Sequence, residues 1–78
     1  MNDAQRLAGC FQTVFPDLPE KQIRAATQAT VAAWDSIAGI TLVNVIEEEF
    51  HIPVDFELLG ELDSFGRILK YLEQHKGS

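Results

Sequence analysis

Residues 34–50 read WDSIAGITLVNVIEEEF, and this stretch decides the fold. Its many β-branched residues would suit a strand. The apolar positions nevertheless recur with the period of a helix, and a run of about fifteen residues is helical in length. The residues that share one helical face are Gly39, Leu42, Val43, Ile46 and Phe50. Because Asp35 and Ser36 both suit an N-cap, the stretch predicts a helix that begins at this pair.

Two further main helices are predicted on either side of this one. The first begins near Asp3 and is ended by Pro16, which cannot continue a helix. The last begins after Asp63-Ser64, with Ser64 as its N-cap. Its apolar stripe consists of Phe65, Ile68, Leu69 and Leu72.

The segments between the main helices contain shorter structure. Residues 16–35 form a long connection with at least one helical turn, for which Asp17 is the predicted N-cap. Beyond Pro53, residues 56–60 predict one or two further turns. The predicted fold is therefore all-α, a single domain over residues 1–78. It is a small four-helix bundle of three main helices and one short helix, with a long connection between the first and second main helices.

The charge is strongly acidic and unevenly distributed. Twelve acidic residues oppose six basic ones, for a net charge of −6. All eight charged residues between positions 35 and 63 are acidic. This composition argues against a nucleic-acid binder, which needs Lys and Arg for the phosphates. The acidic surface is either a solvated face or a docking surface for basic partners.

Membrane and secretion signals are not expected from these residues. No apolar run is long enough for a transmembrane helix, and residues 1–8 lack the pattern of a signal peptide. The single cysteine, Cys10, cannot form an internal disulfide and is predicted to be a small core residue. The expected location is the reducing cytoplasm.

Catalytic groupings are scarce. No motif places His51 or His75 beside a nucleophile, and there is no Gly-x-Ser-x-Gly turn. The three consecutive glutamates at 47–49 point in different directions on a helix, so they do not form a metal site. A small hydrolase that uses Ser36 would lack a positioned base. The expectation is a protein that is not an enzyme and binds no metal.

Asp35-Ser36-Ile37 resembles the Asp-Ser-Leu motif of acyl carrier proteins. The similarity extends through Leu42, Val43, Ile46, the glutamates at 47–49 and Pro53. The resemblance implies a bundle of the acyl-carrier type. It also implies that Ser36 carries 4′-phosphopantetheine, attached covalently from coenzyme A, whose thiol holds acyl intermediates as thioesters. Such a chain is a non-catalytic carrier that delivers its cargo to partner enzymes.

The same resemblance implies partners and the residues that meet them. The partners are a phosphopantetheinyl transferase (a holo-acyl-carrier synthase) and acyl-loading and acyl-transferring enzymes with basic docking surfaces, and the carrier itself is expected to be a monomer. Asp35, Glu47 and Glu48 would meet Arg and Lys of these enzymes. Ile37, Ile40 and Val43 would supply apolar contacts. Ile46, Leu59 and Leu62 would line a cleft for the acyl chain.

Some positions depart from the pattern of the fatty-acid-synthesis carriers. Those carriers usually have Gly two residues before the Asp-Ser pair and acidic residues soon after it, whereas this chain has Ala33-Trp34, Ala38 and Thr41. Trp-Asp-Ser is more similar to stand-alone carriers of specialised lipid, polyketide or related biosynthesis. An aminoacyl or peptidyl carrier and an unmodified helical protein-interaction module are the alternatives.

A second serine also has to be considered. Asp63-Ser64 resembles the attachment motif of D-alanyl carrier proteins. Only fourteen residues follow Ser64, which is too few for the recognition helix and two further helices that a carrier needs after its modified serine. Ser36 is therefore the predicted attachment site.

Overall fold

Helices form where the apolar spacing predicts them. The computed structural model describes residues 3–76, apart from the side chains of Phe56 and Lys76. The helices are α1 (Asp3–Val14), α2 (Glu20–Ile23), α3 (Ser36–Phe50) and α4 (Phe65–Lys76), and a 3-10 turn covers Phe56–Leu58. Residues 3–76 contain no β-strand beyond one isolated bridge. The prediction of a small all-helical bundle with three main helices and a long first connection is confirmed.

Helix α3 shows how packing overrides the local preference of β-branched residues for strands. Its buried residues are Leu42, Val43, Ile46 and Phe50, all on the predicted face. Asn44 and Glu48, on the other side, are exposed. Helix α1 packs against this face and also contacts α2 and α4, so α1 is the central element of the bundle. Burial of one face against α1 stabilises the helix more than strand propensity disfavours it.

The connection between α1 and α3 is ordered by local bonds. The sequence suggested Asp17 as the N-cap of α2, but the structure does not place it there. Pro19 holds that place in extended conformation without a side-chain cap, and α2 is a single turn. Further along, the Thr27 N–H donates to Thr30 Oγ1 at 3.0 Å, and the Thr30 N–H donates to Thr27 Oγ1 at 3.1 Å. These bonds form a turn in the connection before α3.

An isolated antiparallel bridge fixes this connection to the start of α4. The Gln28 N–H donates to the Asp63 carbonyl at 2.8 Å, and the Phe65 N–H donates to the Ala26 carbonyl at 2.9 Å. These bonds join segments that are far apart in sequence, so they attach the connection before α3 to the N-terminus of α4. No helix among residues 3–76 is long and apolar enough to cross a bilayer.

Helix α3 ends at a residue with left-handed backbone. His51 has φ 56° and ψ 36°, and its N–H donates to the Glu47 carbonyl at 2.9 Å. Its side chain is exposed. Side chains with a Cβ are strained in this conformation, whereas glycine is not.

We expect His51→Gly to raise the free energy of unfolding by about 0.5–1 kcal/mol, because relief of the strain exceeds the entropy that glycine adds to the unfolded chain. The corresponding rise in Tm is about 2–8 °C for a domain of this size, measured by thermal unfolding followed by circular dichroism. The control is His51→Ala, which keeps a Cβ and should show no rise. An unchanged Tm for the glycine variant would contradict strain at this position.

Candidate functional site

The N-terminus of α3 is capped by Asp35. The Ala38 N–H donates to Asp35 Oδ1 at 2.8 Å, and the Gly39 N–H donates to the Asp35 carbonyl at 2.9 Å. The sequence left the N-cap open between Asp35 and Ser36, and the structure assigns it to Asp35. Ser36 is therefore the first residue of the helix, and its side chain is not needed for capping.

The Ser36 hydroxyl is available for chemistry. Ser36 is exposed, and its hydroxyl forms no hydrogen bond with any residue from 3 to 76. At the first turn of a helix the N–H groups of Ser36 and Ile37 have no intrahelical acceptor. These donors and the positive end of the helix dipole favour an anion beside the hydroxyl.

Ser64 is placed differently. The Arg67 N–H donates to Ser64 Oγ at 3.1 Å, so this hydroxyl caps α4, as the sequence predicted. Ser64 is half-buried, and its backbone belongs to the bridge with Thr27. Of the two Asp-Ser serines, Ser36 is thus the exposed one with a free hydroxyl.

A pocket opens beside Ser36 between α3, the segment before α4, and α4 itself. Its volume is about 180 Å³. The lining residues are Gln28, Trp34, Asp35, Ser36, Gly39, Ile40, Leu42, Val43, Leu59, Gly60, Leu62 and Ile68. Leu59 and Leu62 lie where the sequence placed them. Ile46, which the resemblance also placed there, is not part of the lining, and its side chain is buried in the core.

Trp34 and Gly39 are among the residues of the pocket wall that sequence reasoning missed. Trp34 was considered only for its resemblance to other carriers, and Gly39 only as a position on the buried face. Both line the pocket with Ser36. The helical spacing between Ser36 and Gly39 could have indicated that Gly39 lies one turn below the serine.

The predicted apolar partner residues separate into two kinds. Ile37 is 75% exposed and Ile40 is 41% exposed, although isoleucine side chains are usually buried. Both lie on α3 close to Ser36. Val43 is only 3% exposed. It therefore belongs to the core and the pocket wall, and its side chain is not part of the outer surface expected to contact partners. Helical geometry accounts for this, since Val43 shares the face of Gly39 and Ile46.

The predicted acidic partner residues also differ from one another. Asp35 is engaged as the N-cap. Glu47 is half-buried, and its Oε2 accepts a hydrogen bond from the Val54 N–H at 2.8 Å, across the turn that follows α3. Glu48 is exposed, and its carboxylate has no partner within the described part of the chain. Glu48 is thus the one of the three whose charge is free to meet another protein.

Glu49 completes the glutamate run and faces α1. Its Oε2 lies 3.0 Å from Arg6 Nε, and the Arg6 guanidinium lies 4.5 Å from the centre of the Phe50 ring. Cys10, also on α1, is buried as predicted. Burial, followed by the nearby charge of Glu49, raises the pKa of this thiol to about 11. At neutral pH it is therefore protonated and unreactive.

We expect Glu47→Ala to lower the free energy of unfolding by about 1–3 kcal/mol, because it removes a charged acceptor and leaves the N–H of buried Val54 unpaired. Urea unfolding measures this change. The matched control is Glu48→Ala, which changes a neighbouring glutamate without a partner and should stay within about 0.5 kcal/mol of the parent. Equal losses in both variants would contradict the role of Glu47.

The histidines lie away from the pocket wall. His51 forms the turn after α3, and His75 stacks on Tyr71 with ring centres 4.0 Å apart. Neither belongs to the pocket lining. Among residues 3–76, no group of three or more His, Cys, Asp or Glu is arranged to hold a metal ion.

The arrangement therefore combines a free serine hydroxyl at the positive end of a helix, an apolar pocket beside it, and two exposed isoleucines. No family model, curated protein or solved structure matches this chain.

Proposed function

We propose that this chain is an acyl carrier and that its Ser36 hydroxyl accepts 4′-phosphopantetheine from coenzyme A. The observation that carries the proposal is the exposed Ser36 hydroxyl, which forms no hydrogen bond because Asp35 caps the helix in its place. The resemblance of Asp35-Ser36-Ile37 to the attachment motif of acyl carriers points to the same serine. The pocket beside it supports a role in which a tethered group needs shelter.

The residues at the start of α3 suit the phosphodiester that this modification leaves. Ser36 Oγ attacks the phosphorus of coenzyme A that carries the pantetheine arm. A new O–P bond forms, the bond from that phosphorus to the bridging oxygen breaks, and adenosine 3′,5′-bisphosphate leaves. The hydroxyl proton passes to the transferase or to water. Mg²⁺ held by the transferase would stabilise the charge of this phosphoryl transfer.

The Ser36 and Ile37 N–H groups would hold the resulting anion at the helix N-terminus, where such an interaction contributes about 0.3–1 kcal/mol. When bound, the group supplies a thiol that carries the acyl cargo as a thioester. The chain's own contribution is to present the attached group to other proteins, because Ser36 is exposed at the start of α3. Cargo would then be handed over by partner enzymes, in the cytoplasm, where Cys10 stays reduced.

The surface around Ser36 suits partners with a mixed basic and apolar face. Ile37 and Ile40 are exposed on α3, and the carboxylate of Glu48 is free further along the same helix. Apolar contact would hold the complex, and acidic charge would raise the rate of encounter with basic surfaces. A transferase and the enzymes that load and unload the carrier would share this surface.

The test is the intact mass of the chain after incubation with coenzyme A, Mg²⁺ and a phosphopantetheinyl transferase of broad specificity. We expect a single phosphopantetheine increment. No increment on a chain that remains helical by circular dichroism would contradict the proposal and favour an unmodified helical interaction module. If the increment is found, loading with acyl and with aminoacyl groups would separate an acyl carrier from an aminoacyl or peptidyl carrier.

A further inference from the structure

Trp34 carries a polar group that the fold leaves without a partner. Its side chain is 4% exposed and packs near the ring of Phe11 in α1 and the ring of Phe15 directly after α1, with ring centres 5.4 and 5.9 Å away. The indole Nε1–H nevertheless donates to no acceptor within residues 3–76. No fully buried side-chain nitrogen or oxygen among the described residues lacks a partner, so this unpaired N–H is accessible at the molecular surface and can donate to water or to a ligand.

Gly39 shows where this donor lies. A Cβ built on Gly39 would stand 3.6 Å from Trp34 Nε1 and 4.0 Å from its Cδ1, so the N–H edge of the indole faces the space that the glycine leaves open. Both residues line the pocket beside Ser36. The Trp34 donor therefore borders the pocket beside Gly39, on the side formed by α3.

The rest of the pocket limits what can occupy it. Most of its wall is apolar, formed by Leu42, Val43, Leu59, Leu62 and Ile68 among others. Its volume of about 180 Å³ compares with an apolar cavity of about 150 Å³ that holds one benzene. The pocket thus has room for about six or seven non-hydrogen atoms. Its best occupant is small and apolar, with one oxygen that can accept a hydrogen bond.

We infer that Trp34 selects the cargo. The pocket takes a short acyl group of up to about six or seven non-hydrogen atoms, and the Trp34 Nε1–H donates to a carbonyl oxygen of that group. Gly39 keeps the donor open to the ligand. The inference rests on the proposed carrier function and deepens it by naming the cargo as short and oxygen-bearing. The oxygen is supplied either by the thioester carbonyl or by a 3-oxo group.

The test uses the unmodified full chain and free S-acyl-N-acetylcysteamine thioesters with butyryl, acetoacetyl and octanoyl groups. Trp34 is the only tryptophan, so a ¹⁵N-labelled chain gives one indole N–H signal. We expect a saturable downfield shift of the indole proton. A shift with butyryl and acetoacetyl assigns the bond to the thioester carbonyl, and a shift with acetoacetyl alone assigns it to the 3-oxo group. Octanoyl exceeds the pocket and should bind at least tenfold more weakly.

Two glycine variants provide the matched pair. Gly39→Ala places a methyl group in ordinary contact with the indole and should reduce binding at least tenfold. Gly9→Ala lies inside α1, where an added Cβ meets nothing within 4 Å, and should leave binding unchanged. Both replace a glycine inside a helix, so both should raise Tm by about 2–8 °C, which shows that each variant folds.

The inference is overturned if no thioester moves the indole signal, if octanoyl binds as tightly as butyryl and acetoacetyl, or if Gly39→Ala responds as Gly9→Ala does. This titration needs no modification of Ser36. A chain that gains the phosphopantetheine increment but shows no indole shift would leave the carrier function standing and remove the selection by Trp34. A chain that shows the shift but never gains the increment would remove the carrier function instead.

Discussion

Ser36→Ala is expected to abolish the phosphopantetheine increment completely, whereas Ser64→Ala is expected to retain it. The two serines follow an aspartate in the same way, but only the Ser36 hydroxyl is exposed and free of hydrogen bonds. The Ser64 hydroxyl accepts from the Arg67 N–H and is committed to the N-terminus of α4. Intact mass spectrometry of both variants beside the parent chain measures the difference.

The same pair of variants should show the reverse order in stability. Ser64→Ala loses the N-cap of α4 and should lower the free energy of unfolding by about 1 kcal/mol. Ser36→Ala keeps the Asp35 cap and should change stability by less than about 0.5 kcal/mol. A loss of loading in Ser36→Ala therefore cannot be attributed to unfolding. Loading that survives in Ser36→Ala, or that is lost in Ser64→Ala, would show that Ser36 is not the attachment site.

The long helices could be predicted because each buries one continuous face. Residues 36–50 contain many β-branched side chains, yet the spacing of Leu42, Val43, Ile46 and Phe50 outweighed them. The spacing also placed Val43 on this face, and Val43 is only 3% exposed there. The expectation that Val43 contacts partners came from the resemblance to carriers and conflicts with its own position on the buried face.

Contacts between distant segments could not be predicted in the same way. Glu47 was interpreted as a surface charge, but the chain reverses at left-handed His51 and brings the Val54 N–H to its carboxylate. The bridge between Thr27 and Ser64 likewise depends on how the first connection crosses the molecule. The pocket depends on the face of a helix and on the path of a loop, since Gly39 lies on α3 and Trp34 lies in the first connection. A single sequence gives the faces of helices but not the path of the loops that join them.

Aromatic packing around Phe11 joins the core to the candidate site. Phe11 is fully buried on α1, and its ring centre lies 5.4 Å from Trp34, 5.3 Å from Phe65 and 6.1 Å from Phe15. The Trp34 pair is nearly perpendicular, at 81°, which is a favourable edge-to-face geometry. Phe11 therefore supports the tryptophan of the pocket wall and the first residue of α4 at once.

Phe11→Ala should lower the free energy of unfolding by about 3–5 kcal/mol, because it removes buried surface and leaves a cavity among three rings. A domain of this length has about 4–12 kcal/mol in total, so the variant would be close to unfolding at room temperature. Urea unfolding measures the loss, and Ile37→Ala is the exposed control, expected within about 0.5 kcal/mol of the parent.

Phe11→Leu separates lost volume from lost ring geometry and should stay folded, at a cost of about 1–2 kcal/mol. In that variant Trp34 loses its edge-to-face partner, so we expect its fluorescence to change while the helical circular dichroism does not. A loss below about 1.5 kcal/mol for Phe11→Ala would contradict the central place of Phe11 in the core. An unchanged tryptophan spectrum in Phe11→Leu would show that the position of Trp34 in the pocket wall does not depend on the Phe11 ring.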